Sequence, residues 1–94
     1  MPTSADLLPP ITPGEILREE FLEPLGLSAR ALSKAMGVPL SRLSMILSGK
    51  RAITAETAIL LGRHFGNSAE FWMNLQTHHD LEVARDRMGV AAAA

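Results

Sequence analysis

The chain has 94 residues, which suits one small domain and is too short to bury the core of a large enzyme. Apolar residues make up 47% of it, with Leu and Ala common and Val and Tyr sparse, so a helical fold is expected. The absence of cysteine excludes disulfides and thiolate metal ligands, and no apolar run resembles a membrane span or a secretion signal. We therefore expect a cytoplasmic protein.

Charge is distributed unevenly along the chain. The formal net charge is -1, which by itself argues against a nucleic-acid partner because cations that neutralise phosphates supply most of the affinity for DNA. Residues 24–55, however, contain no Asp or Glu. The same stretch contains the basic residues Arg30, Lys34, Arg42, Lys50 and Arg51. The centre of the chain is therefore a basic module with acidic flanks.

The first elements in chain order are an irregular arm and a helix. Residues 1–11 are rich in proline and predict an N-terminal arm. The segment 12–15 reads TPGE, a capping box that predicts the start of the first helix. We expect this helix to end near Glu23, since Pro24 and Gly26 interrupt its hydrogen bonds. The apolar residues at helical spacing on it are Ile16, Leu17, Phe21 and Leu25.

Residues 28–48 have the pattern of two short helices joined by a tight turn. Ser28 is the expected cap of the second helix and Gly37 its left-handed end. Pro39 can begin the third helix, which ends at 48–49. The residues expected to face inward are Leu32, Ala35 and Met36 on the second helix, and Leu43, Ile46 and Leu47 on the third. This is the geometry of a helix-turn-helix.

Two further helices complete the chain. Thr54 is the expected cap of the fourth helix, which ends at Gly66. Ser68 is the expected cap of the fifth, which runs to about Met88 and leaves 89–94 as a frayed tail. The apolar residues that line these helices are Ala58, Leu61, Phe65, Phe71, Trp72, Leu75, Leu81 and Ala84. Helices this short must bury their apolar stripes against one another, so an all-α, compact five-helix bundle is predicted.

The predicted domain covers residues 12–88. Phe71 is interpreted as core because apolar residues at helical spacing are usually buried. Trp72 fits the core and a dimer interface equally well. The run at 78–80, which reads HHD, is not a metal motif, because adjacent histidines on a helix point about 100° apart.

Three segments resemble bacterial antitoxins of the HigA/VapI type, within the repressor-like (XRE/Cro/CI) helix-turn-helix superfamily. They are residues 13–22, 49–54 and 65–76, which read PGEILREEFL, GKRAIT and FGNSAEFWMNLQ. The resemblance implies a repressor-like DNA-binding domain. The sequence contains neither a Gly-x-Ser-x-Gly turn nor a Walker-type phosphate loop, so no enzymatic activity and no cofactor are expected. The resemblance also implies a homodimer that represses its own operon and neutralises a co-encoded toxin, a ribonuclease of the HigB/RelE-like kind.

The third helix is the expected reader of double-stranded operator DNA, because an α-helix fits the major groove. By position in this family, Leu40, Ser41 and Met45 are expected to contact bases. The residues expected near phosphates are Ser28, Arg42, Ser44, Ser48, Lys50 and Arg51. Lys34 is a further candidate for DNA binding, although it and Arg30 could simply cover the second helix. Leu40 and Met45 cannot form bidentate hydrogen bonds, so readout is expected to use thymine methyl groups and DNA shape.

Two other functions fit the same pattern. A stand-alone transcriptional regulator of this fold, with no toxin partner, is the principal alternative. An interaction module that has lost DNA binding would carry acidic or bulky residues on the outer face of the third helix, and that face carries small, polar or cationic ones. Glu19, Glu20 and Glu23 on the first helix form either a solvated face or a surface for a basic ribonuclease.

Overall fold

A computed structural model describes residues 10–89, and within that range the chain forms five helices and no strand. Helix α1 covers residues 13–25. The other four are α2 (Ala29–Met36), α3 (Leu40–Leu47), α4 (Ala55–Phe65) and α5 (Ala69–Met88). The predicted all-α, five-helix fold is confirmed. Most of the predicted arm and of the predicted tail lies outside the described residues. Over the described range, no helix is both long and apolar enough to cross a membrane.

Four of the five helices begin at side-chain caps that the sequence predicts. The Thr12 hydroxyl accepts a hydrogen bond from the Glu15 N–H at 3.1 Å, and the Glu15 carboxylate accepts one from the Thr12 N–H at 3.3 Å. This completes the capping box. The hydroxyls of Ser28, Thr54 and Ser68 likewise accept from the N–H three residues ahead. Helix α3 is the exception and has no side-chain cap.

Helix α1 runs further than the predicted end at Glu23. It consists of an α-helical turn, a π-helical segment and a last α-helical turn, at Pro13–Ile16, Leu17–Leu22 and Glu23–Leu25. The Glu23 N–H donates to the carbonyl of Arg18, five residues earlier, so the helix is widened just before Pro24. The chain passes through the proline and turns at Gly26, whose φ is 63°. The predicted end was therefore wrong by two residues.

The same widened turn explains why Leu25 is not in the core. An extra residue in one turn rotates all later residues by roughly 100° about the helix axis. Leu25 was expected to continue the apolar stripe of Leu17 and Phe21, but it is 65% exposed.

One apolar core joins all five helices. Its fully or almost fully buried residues are Leu17, Leu22, Leu32, Met36, Val38, Leu43, Ile46, Ile53, Ala58, Leu61 and Trp72. Besides Leu25, two more residues expected to face inward, Ala35 and Leu81, do not. Ala35 is exposed because only the Leu32 and Met36 side of α2 packs on the core. Leu81 is exposed because the buried residues of α5, Trp72 and Gln76, both lie in its first half.

The two aromatic residues of α5, Phe71 and Trp72, differ in how deeply they are buried. Trp72 is fully buried and its indole Nε1–H donates to the Asn67 side-chain oxygen at 2.7 Å. Its ring lies 4.9 Å from that of Phe21 and 5.1 Å from that of Phe71. Phe71 itself remains 38% exposed. Of the two positions open for Trp72, the core is the correct one, and the prediction that Phe71 is buried was wrong.

Helix α1 crosses α3 at a point where only glycine fits. A Cβ atom added to Gly14 would lie 2.8 Å from the carbonyl carbon of Ile46 and 2.9 Å from the Cα of Leu47. Both atoms belong to the backbone of α3, so neither can move aside as a flexible side chain would. Gly14 therefore sets the closest distance between the two helices.

We expect Gly14→Ala to lower the free energy of unfolding by about 2 kcal/mol or more, because the added methyl group forces two backbones apart. Urea unfolding followed by circular dichroism measures the loss. The matched control is Gly26→Ala, where a Cβ meets no atom within 4 Å and only the positive φ of 63° is strained. That control should cost about 1 kcal/mol. Equal losses in the two variants would contradict the close-approach argument.

Candidate nucleic-acid interface

Helices α2 and α3 are joined by a turn that hydrogen bonds hold closed. Gly37 adopts a φ of 69° and ends α2. The Val38 N–H donates to the Ser33 carbonyl at 3.1 Å, and the Ser33 hydroxyl donates back to the Val38 carbonyl. Ser33 and Val38 are both buried, so these bonds are shielded from water. The angle between the two helices is therefore set by the turn itself.

Helix α3 has one buried face and one free face. Leu43 and Ile46 are buried, as expected, while Leu47 is half-buried. Ser41, Arg42, Ser44, Met45 and Ser48 are exposed, and Leu40 is half-buried. The side of α3 that the sequence assigns to DNA thus faces solvent, with Leu40 the least accessible of its residues.

The cations around α3 are free to bind an external anion. Lys34, Arg42, Lys50 and Arg51 are all exposed. Within residues 10–89, the ion pairs shorter than 4.0 Å are two contacts of histidines on α5, so no carboxylate of that range neutralises these cations. Their charge is available to phosphates.

Two serines of the predicted site already make hydrogen bonds. The Ser28 hydroxyl accepts from the Ala31 N–H at 3.1 Å, which leaves its own proton free to donate to a phosphate. The Ser48 hydroxyl donates to the Met45 carbonyl at 3.1 Å. Donation from Ser48 to a phosphate would require that bond to break. Of the two, Ser28 is the better placed donor.

The loop after α3 holds Lys50 and Arg51 close to α3. Gly49 has a φ of 79°. Its N–H donates to the Ile46 carbonyl at 3.1 Å, while the Lys50 N–H donates to the Met45 carbonyl at 2.8 Å. This pair of bonds is a Schellman motif, which ends a helix with a defined chain direction. The start of the loop is therefore rigidly joined to α3.

Arg18 makes a contact with α3 that the sequence did not predict. Its guanidinium donates to the carbonyl of Leu47 at 2.8 Å, at the last residue of α3. Helix carbonyls at this end have no partner within the helix and carry partial negative charge, so a cation stabilises them. The helical pattern placed Arg18 on the outer face of α1. It gave no sign of a contact 29 residues away.

Gln76 was also missed, because it was read only as part of a family motif. It is 7% exposed, and its side-chain oxygen accepts from the Ile53 N–H at 2.7 Å. Its side-chain nitrogen donates to Asp80 at 2.8 Å. The end of the loop that carries Lys50 and Arg51 is therefore tied to α5.

The histidines of α5 do not assemble a metal site in the part of the chain that the structure describes. His78 Nε2 lies 2.7 Å from Glu82 Oε1, and His79 Nδ1 lies 3.5 Å from Asp80 Oδ1. No group of three or more possible metal ligands occurs between residues 10 and 89.

Comparison with known families identifies this arrangement. The family model described as helix-turn-helix matches residues 18–72, which include α2, α3 and the loop after them. The chain belongs to the helix-turn-helix family. This confirms the predicted repressor-like fold and places the two helices of the motif where the sequence placed them.

Its relatives in the helix-turn-helix family include a named antitoxin. The chain is 51% identical over 84 residues to "Virulence-associated protein I" of Dichelobacter nodosus, which covers 89% of this chain and 78% of the relative. It is 44% identical over 78 residues to "Antitoxin HigA-1" of Vibrio cholerae, and this match covers 83% of this chain and 73% of the relative. The predicted resemblance to HigA and VapI is therefore confirmed, and the prediction of a regulator rather than an enzyme agrees with it.

A solved helix-turn-helix structure shows the same fold next to DNA. The antitoxin HigA of Pseudomonas aeruginosa, solved with the higBA promoter, superposes with a TM-score of 0.82 at 46% identity. The match covers 85% of this chain and 87% of that one. The fold of this chain is therefore shared with a protein whose structure was solved together with a promoter.

We expect Arg18→Met to lower the free energy of unfolding by about 0.5 to 1 kcal/mol, because the last turn of α3 loses a charge-assisted partner. The value is at the low end for such bonds because the contact is exposed to water. Denaturant unfolding measures it. Arg30→Met is the control: Arg30 is an exposed arginine in the first turn of α2, where a cation gains nothing from the helix dipole, so its loss should not lower stability. A loss as large in the control would show that Arg18 acts only as a surface charge.

Proposed function

We propose that this chain is the DNA-binding antitoxin of a two-gene module, which represses its own operon and neutralises a co-encoded ribonuclease toxin. The observation that carries the proposal is the exposed face of α3, surrounded by cations that no carboxylate of residues 10–89 pairs with, in a chain similar to a HigA that was solved with the higBA promoter. DNA binding rests on this geometry. The proposal of a toxin partner rests on the names of the relatives.

In the proposed complex, α3 lies in the major groove and the cations around it bind phosphates. Ser41 at the start of the helix and Met45 one turn later face base edges, with Leu40 beside them. Met45 is 42% exposed and offers an apolar contact for a thymine methyl group. Arg42 and Lys50, with Arg51, Ser28, Ser44, Ser48 and Lys34 further out, hold the helix by phosphate contacts.

The short recognition helix supports the proposal that the chain binds as a homodimer. Helix α3 has eight residues and is about 12 Å long, so one copy reaches only a few base pairs. Two copies related by a two-fold axis would place their α3 helices about 34 Å apart, one turn of DNA, on a palindromic operator. The doubled contact area is what sequence-specific affinity requires.

The toxin-binding surface is proposed on α1. Glu19, Glu20 and Glu23 are exposed there, and none of them makes an ion pair within the described range. A ribonuclease that binds RNA carries a basic surface, which such a face would complement. Because α1 also packs against α3 at Gly14, a toxin bound to α1 would lie close to the proposed DNA-binding helix α3.

Lys50→Ala and Arg42→Ala should each weaken binding to the chain's own promoter and to unrelated DNA alike. Each should also make the salt dependence shallower by about one unit in log K against log salt, because one phosphate contact is lost. Titrations at several salt concentrations measure both. Arg63→Ala removes an exposed cation from α4 and serves as control. An unchanged slope for both variants would refute the assignment of these cations to phosphates.

Expression of the chain together with its neighbouring gene tests the toxin and the dimer. We expect a stable complex that contains both proteins, with two copies of this chain by mass determination, and loss of ribonuclease activity in the complex. The triple variant Glu19→Gln, Glu20→Gln, Glu23→Gln should weaken the complex by about tenfold or more at low salt. If no partner copurifies while promoter binding persists, the chain is a stand-alone regulator.

A further inference from the structure

The loop at residues 49–53 carries two cations and needs support along its length. Its first residues are held by the Schellman motif at the end of α3. Behind the loop, a cavity of about 170 Å³ opens between Gly14, Ile46 and the side chains of α5. Because of this cavity, packing does not fully hold the middle of the loop.

The other end of the loop is held by one buried amide. The Ile53 side chain is in the core, and the Ile53 N–H donates to the side-chain oxygen of Gln76 at 2.7 Å. This bond is buried and joins residues 23 apart in sequence. It fixes the direction of the backbone at Ile53, which packing of the side chain alone does not do.

Gln76 can accept from Ile53 only in one of its two amide orientations. A side-chain amide has an oxygen that accepts and an NH₂ group that donates, and a 180° flip exchanges them. Gln76 Nε2 donates to Asp80 Oδ1 at 2.8 Å, one helical turn further along α5. A carboxylate only accepts, so it selects the orientation in which the Gln76 oxygen faces the loop.

We propose that Gln76 and Asp80 are positioning residues for DNA binding: Asp80 orients Gln76, and Gln76 holds the loop so that Lys50 and Arg51 reach the phosphates next to α3. Neither residue needs to touch DNA. The inference rests on the proposed function, in which these two cations bind phosphates.

Charge and positioning make opposite predictions for Asp80. This carboxylate lines the same cavity as Lys50 and Arg51, and its side chain is 63% exposed. If Asp80 were only a nearby negative charge, its removal would strengthen binding to DNA. If Asp80 orients Gln76, its removal takes away one of the two hydrogen bonds that fix the amide, so the tether at Ile53 loosens and binding to DNA weakens.

The experiment compares Asp80→Ala with Asp80→Asn in the full chain on its own promoter DNA. Asp80→Ala should weaken binding by about threefold or more and make the salt dependence shallower. Asp80→Asn loses the charge but keeps a side-chain oxygen that can accept from Gln76, so it should bind at least as well as the parent. Asp86→Ala removes an exposed carboxylate elsewhere on α5 and controls for charge alone.

Hydrogen exchange gives a second measurement that does not involve DNA. The Ile53 amide should be protected in the parent chain and lose about tenfold of its protection in Asp80→Ala, with protection of the core amides unchanged. Gln76→Met, which removes the acceptor altogether, should show both defects more strongly. Because Asp80 is exposed, Asp80→Ala reports on the loop even where Gln76→Met is poorly folded.

The outcomes separate the inference from the function on which it rests. If Lys50→Ala makes the salt dependence shallower while Asp80→Ala binds as tightly as the parent, the positioning role is refuted and the proposed function stands. The same holds if Asp80→Ala and Asp80→Asn both bind more tightly. If Lys50→Ala leaves the salt dependence unchanged, the phosphate contact and the positioning role both fail.

Discussion

The contact between the backbones of α1 and α3 at Gly14 is the constraint on which the rest of the structure depends. A recognition helix must leave one whole face to DNA, so it can be held only from its inner side and its ends. The absence of a Cβ at Gly14 lets α1 lie directly against the Ile46–Leu47 backbone. Any larger residue would move α3 outward and, in the proposed complex, change the depth at which its exposed face meets the groove.

Both ends of α3 are held by polar contacts from elsewhere in the chain. At its start, the Ser33 and Val38 hydrogen bonds close the turn without using any residue of the exposed face. At its end, Arg18 binds the Leu47 carbonyl, so a cation of α1 satisfies the negative pole of the helix. The position of α3 is therefore fixed by residues that do not themselves need to contact DNA bases.

What the sequence predicted correctly was local, and what it missed was long-range. Thr12 and Ser28 could be recognised as helix caps in the sequence, because a cap accepts from an N–H only three residues away. Arg18 and Gln76 contact partners 29 and 23 residues away, and no spacing within one helix reveals such a contact. The exposed face of α3 could be predicted, because the apolar stripe of this helix left only one side free. The long-range contacts of Arg18 and Gln76, which hold α3 and the loop after it, could not be predicted.

A net charge of -1 is compatible with DNA binding because electrostatic attraction acts over a short range. At physiological salt, screening limits the reach of an exposed charge to about 8 Å, so a phosphate senses the cations beside it rather than the sum over the chain. No Asp or Glu occurs from residue 24 to 55, and the acidic residues between positions 10 and 89 lie on α1, on α5 and at the start of α4. In the proposed function, this separation leaves the acidic face of α1 available to a basic partner while α3 binds DNA. One small chain can then offer an acidic surface and a basic surface to two kinds of ligand. The close contact between α1 and α3 at Gly14 fixes the positions of these two surfaces relative to each other.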